Sequence, residues 1–127
     1  MGQKVNPIGF RLGVNRGWDS VWFAKKNQFG INLIEDFKIR EYIKKNVVNS
    51  GISKVMIERS AKKCFITIHT SRPGFVIGKK GSDIEKIKKK LSKITSDEIT
   101  LNIKEVKKPE LNSYLVAENI AQQLVKR

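Results

Sequence analysis

The chain has 127 residues, enough for one domain with a single modest core. Twenty-six Lys and Arg against twelve Asp and Glu leave a formal charge of +14, which draws a compact protein toward polyanions such as nucleic acid or an anionic membrane surface. A membrane is disfavoured by the lack of a run of about 18 apolar residues and of an apolar stretch behind the basic start. The single cysteine forms no internal disulfide, which fits a reducing cytoplasm. Met1-Gly2 opens like a myristoylation signal, but Asn6 stands where that motif needs Ser or Thr.

Residues 1–30 follow no helical or strand period, because Gly2, Gly9, Gly13, Gly17 and Pro7 interrupt them. Lys4, Arg11, Arg16, Lys25 and Lys26 are spaced among Phe10, Trp18, Trp22 and Phe23. Such a basic arm can lie along a phosphate backbone and stack on exposed bases. The plainer alternative is a tail whose aromatics pack on the domain. With no periodic apolar face, residues 1 to about 28 are expected to be dispensable for folding.

The domain proper is expected over residues 31–127. Leu33, Phe37, Ile43 and Val47 form one broad stripe, predicting a helix from about Asn32 to Asn49 that stops at Asn49-Ser50-Gly51. Lys54–Arg59 and Cys64–Thr70 read as strands joined by Ser60–Lys63, a link short enough for an antiparallel hairpin. Cys64 reads as a small core residue. Arg72-Pro73-Gly74 closes that region.

Val76 to Glu85 is the most informative stretch. Two β-branched residues lead into Gly78-Lys79-Lys80-Gly81, and Ser82 and Glu85 have capping-box spacing for a helix start. Glycines let a backbone approach a phosphodiester closely, and a helix N-terminus favours an anion. Lys79 and Lys80 add mobile positive charge. This is the Gly-x-x-Gly arrangement by which KH domains clamp single-stranded nucleic acid. It lacks the Gly-x-x-x-x-Gly-Lys-Ser/Thr frame of a phosphate-loop NTPase.

Beyond the loop, Ile84, Ile87, Leu91 and Ile94 step by three and four, while Lys86, Lys89, Lys90 and Lys93 gather on the opposite face. Lys88 lies on the flank. Ile99–Ile103 alternates as a third strand. After Pro109, Val116, Ala117, Ile120, Ala121 and Leu124 predict a last amphipathic helix capped by Asn112 or Ser113. The order predicts an α+β fold, a three-stranded sheet with helices on one face behind an irregular basic arm.

Catalysis has little support. His69 is the single histidine, and it shares a strand face with Phe65 and Thr67. One histidine and one cysteine do not make a zinc site. Glu35-Asp36 and Asp97-Glu98 are the adjacent acidic pairs, read as caps or partners of lysines. The chain reads as a binder, with no catalytic residue, metal ligand or cofactor expected.

Several blocks resemble the S-three family of bacterial small-subunit ribosomal proteins. They are Met1–Gly13, Trp22-Phe23-Ala24, Ile57-Glu58-Arg59, Arg72-Pro73-Gly74, Val76–Gly81, Glu105-Val106, Lys108–Leu111 and Leu115-Val116-Ala117, in the family's order. The resemblance implies a type II KH domain and a structural role in the head of the small ribosomal subunit, in the cytoplasm. It further implies contact with 16S-type ribosomal RNA, a place near where messenger RNA enters, and ribosomal proteins S-ten and S-fourteen as neighbours. Asn6 stands where the family commonly has histidine. The family carries a second α/β domain, so the chain is expected to be a truncated member. The residues expected to touch RNA are Lys4, Arg11 and Arg16 in the arm, Arg72, Gly78, Lys79, Lys80 and Gly81 at the loop, and Lys88 behind it. A free-standing KH regulator of single-stranded RNA is the alternative; a nuclease or RNA-modifying subunit would need an acid–base or metal constellation that the sequence lacks.

Overall fold

The computed structural model describes residues 1–46 and 51–127. Its elements run α1 (Pro7–Arg11), β1 (Ser20–Val21), α2 (Lys26–Asn46), β2 (Ile52–Ser60), β3 (Lys63–Thr70), α3 (Pro73–Ile77), α4 (Ser82–Ile94), β4 (Glu98–Glu105) and α5 (Ser113–Lys126). Short 3-10 turns at Lys79–Gly81 and Pro109–Leu111 precede α4 and α5.

The sheet order is β1-β2-β3-β4. β2 and β3 form the expected antiparallel hairpin, with Ser60 opposite Lys63 and only Ala61 and Lys62 in the loop. β4 lies parallel to β3, Cys64 opposite Ile99 and Ile68 opposite Ile103. Parallel neighbours need a crossover, and here α3, the glycine loop and α4 supply it. Strict alternation along β3 buries Cys64, Ile66, Ile68 and Thr70 and leaves Phe65, Thr67 and His69 half-buried on the other face.

One core joins α2 and α4 to the sheet: Ile39 and Ile43 from α2, Ile57, Cys64, Ile66, Ile68 and Ile99 from the strands, Val76 from α3, and Ile87 and Leu91 from α4. Burying each large aliphatic side chain contributes roughly 1.5–3 kcal/mol.

Four expectations need correction. The three expected strands are joined by a fourth: β1, from the segment read as irregular, pairs parallel with β2, Ser20 opposite Ile57. Two residues are too few to show a period. The first long helix begins at Lys26, inside the stretch assigned to the arm, and its buried face is Asp36, Ile39 and Ile43. Leu33 and Phe37, read as core, are 40% and 65% exposed. A carboxylate as one of the three buried residues hides that face from any hydrophobic count. Val47 and the stop at Asn49-Ser50 lie outside the described residues.

Val76 and Ile77 are helical rather than an extended lead-in, so the glycine loop joins two helices. Finally, α5 forms with Asn112 as its cap, but among its apolar residues only Leu115 is buried; Ile120 and Leu124 remain 54% and 71% exposed. Asn112 Oδ1 accepts from the Leu115 amide at 3.2 Å and its Nδ2 donates to Ser53 Oγ at 2.6 Å, tying the start of α5 to β2.

Candidate nucleic-acid interface

The loop is held between two buried anchors, Val76 on α3 and Ile87 on α4. Pro73 occupies the first turn of α3, where its missing N–H costs nothing. The Gly78 amide donates to Gly74 O at 3.0 Å and closes that helix. Gly78 has φ 72° and ψ −173°, Lys80 φ 54° and ψ 28°, and Gly81 φ 75° and ψ 12°. Three of four loop residues thus have positive φ, and the chain reverses within one turn.

The capping box does not form. Ser82 is already helical at φ −63°, the cap position falls to Gly81, and no side chain caps α4. Once Gly81 takes the left-handed conformation, Ser82 is carried past the cap into the first turn.

The two glycines serve different ends. A Cβ on Gly78 would run into the side chain of Asp83, so the space beside Gly78 is filled by protein rather than left open for phosphate. A Cβ on Gly81 would meet only Ile84 Cγ2 at 3.8 Å, so backbone conformation alone favours glycine there. Lys80 is the informative residue. A non-glycine side chain in the left-handed region costs about 1–2 kcal/mol, and such strain clusters at functional sites.

Lys79, Lys80 and Arg72 are all exposed on the loop and its leading helix. The Arg72 guanidinium carbon lies 5.8 Å from the Phe75 ring centroid. Lys88 is also exposed, on the β4 side of α4, in a cleft with Glu85, Lys89, Asp97 and Glu98. Three carboxylates share that cleft with the two lysines, Asp97 among them being already paired with Arg59. The arm residues Lys4, Arg11 and Arg16 are exposed too. Arg11 Nη1 donates to Pro7 O at 3.1 Å within α1, and the Arg11 carbonyl accepts the amides of Val14, Asn15 and Arg16 in a compact turn. Among the described residues, no hydrogen bond or ion pair joins residues 1–16 to the loop. Asn6 caps α1, its Oδ1 accepting from Ile8 and Gly9 at 2.9 and 3.3 Å, a role in which asparagine is strongly preferred.

The arm's aromatics divide. Trp22 is structural: its Nε1 donates to Asp36 Oδ2 at 2.7 Å and its ring meets Phe29 at 5.2 Å. Phe10, Trp18 and Phe23 are 71%, 67% and 94% exposed. Three of the four residues in the acidic pairs, Glu35, Asp36 and Asp97, partner an arginine rather than lysines. Arg59 donates to Glu35, Asp36 and Asp97 at 2.7–3.4 Å, and Thr95 Oγ1 donates to Glu35 at 3.0 Å. Sequence reasoning missed this buried network because its members are far apart in the chain. Ile57-Glu58-Arg59, where arginine sits at the end of an apolar strand, was the available signal.

His69 and Cys64 offer no chemistry. Burial, then Lys54 and Lys104, hold the His69 imidazole below its ordinary 6.5. Burial pushes the Cys64 thiol up to about 11, far from the thiolate range of reactive cysteines. Among the described residues, no group of three or more His, Cys, Asp or Glu side chains is placed to hold a metal ion, and no helix is long and apolar enough to cross a membrane.

The comparisons agree with this geometry. Over all 127 residues the chain is 83% identical to small ribosomal subunit protein uS3 of Pelagibacter ubique, 61% to that of Parvibaculum lavamentivorans and 58% to that of Rhodopseudomonas palustris. It covers 56%, 54% and 54% of those proteins, so it spans about half the length of the curated relatives it matches. The resemblance read from the sequence is thereby borne out. KH domain sequences match residues 38–111, the span from the middle of α2 through β4 to the 3-10 turn at Pro109–Leu111, which contains the glycine loop. The chain belongs to the KH domain family.

Proposed function

We propose that this chain is a non-enzymatic structural component of the small ribosomal subunit that binds ribosomal RNA through the Gly78–Gly81 loop and the basic arm. Similarity along the whole of this chain to about half the length of proteins named small ribosomal subunit protein uS3 supports the ribosomal setting. The observation that carries the RNA reading is Lys80, a lysine kept in a left-handed conformation between two glycines on a chain of charge +14. Arg72, Lys79 and Lys80 make the primary phosphate contacts. Lys4, Arg11 and Arg16 extend them, and Lys88 is a weaker contact because of its carboxylate neighbours. Residence in the cytoplasmic subunit head, a place near where messenger RNA enters, and neighbours S-ten and S-fourteen complete the reading.

Such binding is electrostatic. Neutralising about five phosphates on a single strand gives a slope of log K against log salt near roughly −3.5. Replacing Lys79 and Lys80 together with Asp puts two repulsive charges at the loop and should abolish binding with little change in melting, since exposed substitutions usually shift stability by under about 0.5 kcal/mol. Lys80→Gly removes one charge while accepting the same backbone, so it should weaken RNA binding and hold or raise the melting temperature. Unchanged RNA affinity in both variants removes the loop from the interface. Co-sedimentation with small subunits at moderate salt separates the ribosomal component from a free-standing RNA regulator.

A further inference from the structure

The sheet has a second face, turned away from the core that α2 and α4 cover. Alternation along β3 sends His69 to that face, and register sets its neighbours: Lys54 of β2 stands opposite it on one side and Lys104 of β4 on the other. Three basic side chains thus form one row across three strands, both lysines exposed and the imidazole half-buried between them. Neighbouring strands are only about 4.8 Å apart, and like charges directly opposite each other destabilise a sheet. Among the described residues, no ion pair engages any of the three. Glu58, on the same face of β2, lies four residues from Lys54, roughly 13 Å away. Asp19 is the carboxylate whose charge reaches His69, and it acts more weakly there than either lysine. His69 has no catalytic task, yet its surroundings are those of an anion site: an ammonium on either side of a ring that can donate a hydrogen bond. Thr67 and Asn102, paired with each other in the adjoining row, add polar side chains along the same face.

We propose that the Lys54–His69–Lys104 row is a second RNA-backbone site, on the helix-free face of the sheet, that seats a phosphate between its two lysines. The site goes beyond the loop reading and does not depend on it. His69 is the single histidine of the chain, so its imidazole resonance reports on this row alone. The test follows that resonance by NMR in the full chain carrying Lys79→Asp and Lys80→Asp, as oligouridylate or an oligoglutamate peptide is added. Oligouridylate should shift the resonance and raise the His69 pKa, because a nearby anion favours the imidazolium. Adding Lys54→Gln and Lys104→Gln should remove that response and reduce the slope of log K against log salt by roughly 1.4, two single-strand contacts. Both lysines are exposed and repel each other's neighbour, so melting should hold or improve in this variant. An imidazole that ignores oligouridylate, or that answers oligoglutamate as strongly, overturns the proposal, the second result assigning the row to an acidic protein segment. The loop reading is judged apart from this, by whether the Lys79→Asp, Lys80→Asp pair lowers RNA affinity when the row is intact.

Discussion

Arg59 and Asp36 meet through a single carboxylate oxygen: Nε and Nη2 of the arginine both donate to Oδ1 of the aspartate, at 3.1 and 2.7 Å. Both side chains are nearly sealed from solvent, at 4% and 1% exposure. The other oxygen of Asp36 accepts from Trp22 Nε1 at 2.7 Å and from Ser20 Oγ at 3.1 Å. One carboxylate therefore fastens α2 to β2 and to the chain leading into α2. Burial alone would lower the Arg59 pKa, but the hydrogen bonds and charge of Asp36 outweigh it and leave the guanidinium pKa raised.

Asp36→Ala leaves Arg59 buried beside fewer partners, and breaking a buried pair in this way costs about 3–5 kcal/mol. A melting temperature lower by about 10 °C or more is the expected result for a domain of this size. Arg59→Lys should be nearly as damaging, since an ammonium cannot reproduce the planar fork of donors. Urea melts of both variants check this; a loss under about 1 kcal/mol in each contradicts a structural role for the pair.

The same network redraws the limits of the arm. Deleting residues 1–16 leaves Ser20 and Trp22 on Asp36, so the melting temperature should hold while RNA affinity falls with the loss of Lys4, Arg11 and Arg16. Deleting residues 1–25 removes β1 and both donors to Oδ2, stranding half of a buried carboxylate at a cost of about 1–3 kcal/mol or more. Calorimetry on the two truncations should show the break between them. Equal stability would return Trp22 to the dispensable arm.

What was legible in the sequence was what repeats. β3 and β4 alternate, α4 steps by three and four, and Asn112 caps α5, so these elements fall where hydrophobic period and cap chemistry place them. What was hidden depends on long-range polar pairing. Nothing local marks Asp36 as part of a buried face, because its donors come from residues 20, 22 and 59. The loop's lysines and glycines were visible, but not its entry from a helix or its uncapped exit.

His69 gives the fold a pH dependence with a definite sign. Burial first, and then Lys54 and Lys104, keep its folded pKa below the ordinary 6.5. The unfolded chain therefore binds this proton more tightly, and stability rises with pH wherever that holds. The contribution is complete above about 6.5 and declines as pH falls through that value and the folded pKa beneath it. Urea midpoints measured from neutral to mildly acid pH should show the decline, and His69→Gln should flatten it. An identical slope in the variant assigns the effect to other groups.

Gly78 joins loop geometry to packing, and the two can be separated experimentally. At φ 72° and ψ −173° it occupies a region that is essentially glycine-only, where another residue costs about 1–3 kcal/mol. A Cβ at this position would also collide with Asp83, including that residue's own Cβ. Gly78→Ala should thus destabilise through both effects and move the start of α4, pulling Lys79 and Lys80 out of register. Adding Asp83→Ala removes the carboxylate but leaves its Cβ, so the double variant should recover only part of the lost stability. RNA affinity should recover less than stability does, because the backbone conflict at residue 78 remains and displaces the lysines. Gly81→Ala is the control: it meets the positive-φ penalty without the collision, so it should lose less than Gly78→Ala. Melting temperature and RNA affinity measured on these variants decide the matter. Gly81→Ala as damaging as Gly78→Ala, or full recovery of both properties in the double variant, would show that this account of the loop is wrong.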